Sequence, residues 1–296
     1  MSTPVRAFWW SPRRDPRVLA QELRDHAPAW ARLAWARGCP LTNHGDELSA
    51  LVLREAIGRS VRWAPLGSED VVAIGSAVAP YLVRGGVGRV WGTGLHDPSV
   101  GAAADDGFRQ RVLAIRGPLA RAALGLDAST QLGDPGLVTR ALRPHVPGAA
   151  RRGVVLITHF LSYTTSEQRA AIAAIRAEGV RVLPPTLRPT EMLDEIGRAE
   201  HVLSAGMHGV ILSHALRTPA TLVTLRNTVA PAAFKYHDYY ASVGLQARPT
   251  AWTSLVSARG RRRALELAEV DARAADDVID SLVDGLLRAA RPLRST

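Results

Sequence analysis

The chain has 296 residues, room for two domains of ordinary size, and its 47% hydrophobic and 22% charged residues describe a globular protein. No apolar run reaches the roughly 18 residues needed to cross a bilayer, Met1 to Trp10 has no small-residue cleavage site, and a single cysteine, Cys39, excludes an internal disulfide and a multi-cysteine metal site. The net charge of +10 comes almost entirely from arginine: of 37 basic residues only Lys235 is a lysine, and in an Ala-, Gly- and Pro-rich chain this excess fits coding bias as well as a binding face. A cytoplasmic protein without a metal is expected.

Short β-rich runs alternate with helical stretches, the pattern of parallel sheets built from βαβ units. In the first half the expected strands are Val5 to Trp10, Ser60 to Trp63, Val71 to Ile74, Val87 to Trp91 and Arg111 to Ile115, with helices over Leu48 to Gly58 and Pro118 to Leu124. Arg143 to Arg152 loses apolar periodicity and reads as a linker. Beyond it, strands are expected at Gly153 to His159, Val180 to Leu183, His201 to Ser204 and Ala220 to Thr224, with helices over Ser166 to Glu178, Pro189 to Ala199 and Gly209 to Leu216. Ala272 to Ala290 carries Val278, Ile279, Leu282, Val283, Leu286 and Leu287 at helical spacing, an amphipathic terminal helix. The fold expected is α/β: a Rossmann-like domain over residues 1–145, and a second over 151–296 that includes the terminal helix. The basic run Arg259-Gly260-Arg261-Arg262-Arg263 reads as a solvated loop or helix start, with a phosphate or membrane surface as the other reading. No zinc spacing or aromatic RNA-binding motif accompanies it, so nucleic acid is not an expected partner.

In open α/β sheets ligands bind beyond the carboxyl ends of strands, and two such lobes make a cleft. Polar residues just after strands are therefore the site candidates. Asn43-His44-Gly45-Asp46-Glu47 offers a tight turn in which Asp46 opens a helix and reads first as its N-cap. Gly75-Ser76 and Trp91-Gly92-Thr93-Gly94 allow close backbone approach to a ligand but lack the dinucleotide fingerprint. Arg116-Gly117-Pro118 places a guanidinium beside the amides of a helix start, a ready anion site. In Ser204-Ala205-Gly206-Met207-His208-Gly209 a histidine stands at another helix start, where it can cap, bind an anion or move a proton. Lys235 follows within Phe234-Lys235-Tyr236-His237-Asp238-Tyr239-Tyr240, a point charge suited to one phosphate or carboxylate oxygen.

In this order the motifs resemble the polysaccharide pyruvyl transferase family, from Phe8-Trp9-Trp10 through Asn43-His44-Gly45-Asp46-Glu47, Gly75-Ser76, Trp91-Gly92-Thr93-Gly94, Arg116-Gly117-Pro118 and Leu132-Gly133-Asp134-Pro135-Gly136 to Met207-His208-Gly209 and the Lys235 segment. The resemblance implies two Rossmann-like domains in a glycosyltransferase-B-like arrangement. It also implies phosphoenolpyruvate as donor substrate, no cofactor, and a pyruvate ketal bridging two hydroxyls of a polysaccharide or its lipid-linked precursor. It places donor binding on Arg116, His208 and Lys235. Two departures stand out: Gly206-Met207-His208 replaces the family's Arg-Leu-His, and residues 13–40 are an added stretch, read as a packing helix or a cover over the acceptor site.

Phosphoenolpyruvate carries two anionic groups, so Arg116 is expected on one and Lys235 on the other. Ketal formation needs a proton on the methylene carbon and a base for the sugar hydroxyl. His208 is the expected proton donor and Asp46 the base, with Asn43 and Glu47 on the acceptor. The partners expected are phosphoenolpyruvate, a saccharide or lipid-linked saccharide, and a membrane surface touched through basic patches. A nucleotide-sugar glycosyltransferase of the same two-lobed shape is the competing enzyme class, and a noncatalytic saccharide-binding member is the third reading, motivated by Gly206.

Overall fold

The computed structural model describes residues 3–143, 150–226 and 233–294. Its strands form two sheets in which every pairing is parallel. The first contains β1 (Val5–Phe8), β2 (Val61–Trp63), β3 (Val71–Val72), β4 (Arg89–Trp91), β5 (Val112–Ile115) and β6 (Gln131–Leu132), ordered β2-β1-β3-β4-β5-β6. The second contains β7 (Val154–Ile157), β8 (Arg181–Leu183), β9 (His201–Ser204), β10 (Ala220–Thr224) and β11 (Thr250–Ala251), ordered β11-β10-β9-β7-β8. Read from the β8 edge, the second order repeats the first: second strand, first, third, fourth, fifth. In this doubly wound order the winding reverses between the first and third strands, and the loops leaving those two strands part to open a crevice.

Each strand read from the alternation is present, some trimmed by up to three residues at the ends. The short strands β6 and β11 were not legible, since Gln131-Leu132 and Thr250-Ala251 lack an apolar run such as the Val71 to Ile74 stretch that marks β3. The strands are apolar because helices cover both faces; all four residues of β9 are buried, His201 and Ser204 included. Helices of the first half are α1 (Pro16–Leu33), α2 (His44–Glu47), α3 (Ser49–Ile57), α4 (Val78–Val83), α5 (Asp106–Arg111), α6 (Pro118–Ala123) and α7 (Thr139–Leu142). The second half adds α8 (Ser166–Ala177), α9 (Pro189–Arg198), α10 (Met207–Ala215), α11 (Phe234–Ser242), α12 (Trp252–Leu255) and α13 (Ala258–Ala289).

Helix α1 occupies the added stretch. The Asp15 carboxylate caps it by accepting from the amides of Arg17 and Val18, with Pro16 in the first turn. The helix bends at His26 (φ −136°, ψ 15°), two residues before Pro28, which has no N–H to give the preceding turn. Trp30 and Leu33, beyond the bend, are buried, while Leu23 before it is 47% exposed and Trp35, past the helix end, 96% exposed, so the packing face is narrower than the apolar residues of 13–40 suggest.

Helix α13 begins at Ala258, earlier than expected, because Ser257 Oγ accepts the Gly260 amide and caps it there. The Arg259 to Arg263 run forms its first turns, with Arg261 reaching the Leu255 carbonyl and Glu178. The helix packs on both sheets. Trp91 Nε1 at the end of β4 donates to the Leu286 carbonyl at 3.0 Å, while Ile279 and Leu282 share a buried cluster with Val210 and Ile211 of α10. One further cluster runs from Val5 and Val71 of the first sheet through Leu48 and Val138 to Val155 and Val202 of the second. The central part of the expected linker, residues 144–149, lies outside the described residues.

Candidate active site between the two sheets

The crevices of the two sheets open on one cavity of about 490 Å³. Trp10 after β1, His44 and Asp46 of α2, and Gly75-Ser76 after β3 come from the first sheet; His159 after β7 and Gly206 and His208 after β9 come from the second. Lys235, in the first turn of α11, completes the wall.

The Asn43 to Glu47 loop owes its shape to Asn43, whose side chain accepts the Gly45 amide at 3.2 Å and caps α2. Asp46 is therefore not the N-cap: it lies inside the helical turn and lines the cavity. Oδ1 sits 3.0 Å from where a Cβ on Gly75 would stand, a tight contact, and the φ of 101° at Gly75 is what favours glycine there. The two halves meet here. A Cβ on Gly45 would fall 1.8 Å from His208 Nδ1, which means the imidazole packs directly on the loop backbone. The His44 amide (2.9 Å) and Nδ1 (3.2 Å) both reach the Pro185 carbonyl. A carbonyl only accepts, so Nδ1 carries the proton and Nε2 keeps its lone pair. His44 Nε2 and His208 Nε2 are buried without a hydrogen-bond partner among the described residues. At His159, Nδ1 accepts the Leu161 amide at 3.2 Å, which places its proton on Nε2.

Burial sets the charge states. It pushes Asp46 up to about 8, against the opposing attraction of Lys235. It pulls Lys235 down to about 8, with Arg116 acting in the same direction and Asp46 opposing. Burial also holds His44 down at about 4, His159 at about 3, and His208 well below its ordinary value, so these imidazoles are neutral near pH 7. Among the described residues no three His, Cys, Asp or Glu side chains are grouped to hold a metal ion. One stability consequence follows for Asp46. Folded protein keeps the Asp46 proton that unfolded chain loses near 3.8, so stability falls as pH rises from there to about 8. The Asp46→Asn variant is expected to lose this slope, and melting temperatures of both proteins between pH 5 and 8.5, roughly the span of that shift, check it.

Arg116 stands behind the wall. It is fully buried, with Nε to Asp238 Oδ2 at 3.3 Å, Nη2 to the Leu95 carbonyl at 2.8 Å and Nη1 to Ser76 Oγ at 2.9 Å. The anion site read at the start of α6 is occupied from within the chain: Asp238 Oδ1 accepts the Ala120 amide at 2.8 Å while Oδ2 meets Arg116. Gly94 and Gly117 make room for this pair, since a Cβ at Gly94 would lie 2.3 Å from the guanidinium carbon and one at Gly117 2.1 Å from the Asp238 carbonyl oxygen. The close approach these glycines allow is to an internal ion pair.

The remaining expected residues separate. Asn43 lines the cavity and is committed to its cap. Glu47 faces away, accepting from Ser11 Oγ at 2.8 Å and Arg14 at 2.9 Å on a neighbouring depression. His44 and Ser76 line the cavity within motifs the sequence had marked but were given no role there, and His159 was not singled out. His159 stands two residues beyond β7, and that position was the available signal.

No family model matches the chain. Over 139 residues, 47% of this chain, it is 27% identical to the succinoglycan biosynthesis protein ExoV of Rhizobium meliloti (strain 1021). The match spans 42% of that curated relative, less than half its length. Among solved structures, the glycotransferase of kitacinnamycin is similar over 98% of this chain and 100% of its own, at 14% identity and a TM-score of 0.32, too loose a likeness to carry an argument. Among the described residues no helix is long and apolar enough to cross a membrane.

Proposed function

We propose that this chain is a pyruvyl transferase that moves pyruvate from phosphoenolpyruvate to a sugar of a polysaccharide or its lipid-linked precursor as a ketal. The reading is carried by one observation: Lys235, Asp46 and His208, from three separate segments, converge on one cavity at the crevices of both sheets. Similarity to a succinoglycan biosynthesis protein supports a saccharide acceptor. The two domains, 1–145 and 151–296, would then divide acceptor and donor between them in a glycosyltransferase-B-like arrangement.

Lys235 meets a donor anion as a point charge, and Arg116 adds its field from behind Ser76. The environments exchange the acid and base roles expected from sequence. Asp46, held up to about 8, carries a proton at neutral pH and gives it to the methylene carbon. The first sugar hydroxyl attacks the adjoining carbon and passes its proton to the neutral His208 imidazole, which returns it to the departing phosphate. As phosphate leaves, the second hydroxyl closes the ring and its proton restores Asp46. The reaction is thereby balanced, one phosphate released per ketal formed.

Calorimetric titration is the test. Phosphoenolpyruvate is expected to bind with release of phosphate on adding acceptor, and nucleotide sugars are expected not to bind. Binding of a nucleotide sugar alone overturns the proposal in favour of a glycosyltransferase. Gly206 provides a second check, because an added Cβ would meet only His159, at 3.5 Å. Gly206→Arg is expected to tighten phosphoenolpyruvate binding; no donor binding with or without this arginine favours a noncatalytic saccharide-binding protein.

A further inference from the structure

The cavity has two kinds of wall, and phosphoenolpyruvate accounts for one of them. Opposite in character to the imidazoles and Lys235 are Phe8, Trp10, Val18, Pro80, Phe160 and Leu161. A small, multiply charged anion gains nothing from such a surface. The aromatic part is built: Phe160 stacks on Trp30 (centroids 5.0 Å, planes 10° apart) and on Trp10 (6.0 Å, 16°). Trp30 is 5% exposed and donates its indole N–H to Glu22 at 3.0 Å, which fixes the ring that backs the stack. Trp30 lies beyond the bend of α1 at His26, and the added stretch both packs and forms part of the cavity through Val18, Gln21 and Glu22. His159, 4.5 Å from Phe160, joins the aromatic wall to the imidazole group.

We propose that Trp10 and Phe160, held by Trp30 of α1, form the subsite for the acceptor, a pyranose ring laid with its C–H face on the aromatic wall. Aromatic faces carry negative quadrupole charge and attract polarised C–H groups. A pyranose has such a face and a rim of hydroxyls, and Gln21 and His159 line the same cavity, together with Arg84, which is paired with Asp15 at 3.1 Å. A pocket with apolar walls and a few placed polar groups orients its ligand in this way. Helix α1 then sets acceptor specificity, while the donor is held elsewhere in the same cavity. The inference rests on the saccharide-acceptor reading above.

Saturation-transfer NMR with methyl β-D-galactoside, glucoside and mannoside tests it, alongside calorimetric titration of phosphoenolpyruvate. At least one glycoside is expected to bind, with ring C–H protons on one face receiving the strongest transfer. Trp10→Ala and Phe160→Ala are each expected to weaken that glycoside about tenfold, the scale of one aromatic contact, and Trp10→Phe to restore most of it. Phosphoenolpyruvate affinity is expected to stay within about twofold, one sub-kcal step on the affinity scale. Glycoside binding unchanged in both alanine variants, or no transfer to any glycoside in the wild type, overturns the subsite. Loss of phosphoenolpyruvate binding together with the glycoside overturns it as well, because the wall would then shape the whole cavity. The donor reading fails separately: a wild type that binds glycosides through Trp10 but not phosphoenolpyruvate keeps the subsite and loses the pyruvyl transfer.

Discussion

Lys235→Ala is expected to lower kcat/KM for acceptor-dependent phosphate release by roughly 10²–10³-fold, the cost of removing one preorganised charge from a developing anion. Lys235 is the single lysine of the chain, and it enters the cavity from the first turn of α11 with Nζ 5.3 Å from the Tyr236 ring. Arginine at this place would bring a planar fork into space shaped for a compact ammonium, so Lys235→Arg is expected to recover little. The fold should not suffer. Burial lowers the folded-state value from 10.5 to about 8, so the folded protein gives up this proton before the unfolded chain does. The penalty of burying the ammonium is thus present in full below about 8 and is relieved as pH rises toward 10.5. At neutral pH the alanine variant should melt no lower than the wild type. Wild-type turnover should decline above about pH 8, where Lys235 loses its charge and Asp46 its proton together. Undiminished phosphate release by the alanine variant would remove Lys235 from the donor site.

Asp238→Ala is expected to destabilise the protein by about 3–5 kcal/mol, because it leaves a guanidinium buried without its counter-charge. Both side chains of the Arg116–Asp238 pair are fully buried, and Asp238 also holds the Ala120 amide at the start of α6. This single carboxylate therefore ties α11 of the second half to β5 and α6 of the first. Urea denaturation of the wild type, Asp238→Ala, Arg116→Met and Arg116→Met/Asp238→Ala measures it as a cycle. The double variant should recover part of the loss, since the charge is gone, but not all, since the Leu95 carbonyl and Ser76 lose their donor. A loss below about 1 kcal/mol, the scale of a surface pair, would show that water reaches the guanidinium.

Both predictions concern residues that the sequence presented as equals, and the structure gives them different places. Arg116 and Lys235 each followed a strand and each read as a donor anion's partner. Lys235 lines the cavity, whereas Arg116 is occupied by Asp238, a residue three positions beyond Lys235 that drew no comment as part of the aromatic run. Period and position show where a side chain enters, but they do not show which distant carboxylate will meet it.

The sequence alone determined the alternation of strands and helices, the strands' near-boundaries, and the places after strands where polar side chains gather, because these depend on local period and turn chemistry. It also marked Asp46, His208 and Lys235. Tertiary structure decided the rest: the identical winding of the two sheets, which brings both crevices to one cavity, and the stacking of Trp30 of α1 on Phe160. It decided as well that burial raises the Asp46 carboxyl and lowers the His208 imidazole. Charge state depends on burial and on neighbours far away in the chain, and both exist only once the chain is folded.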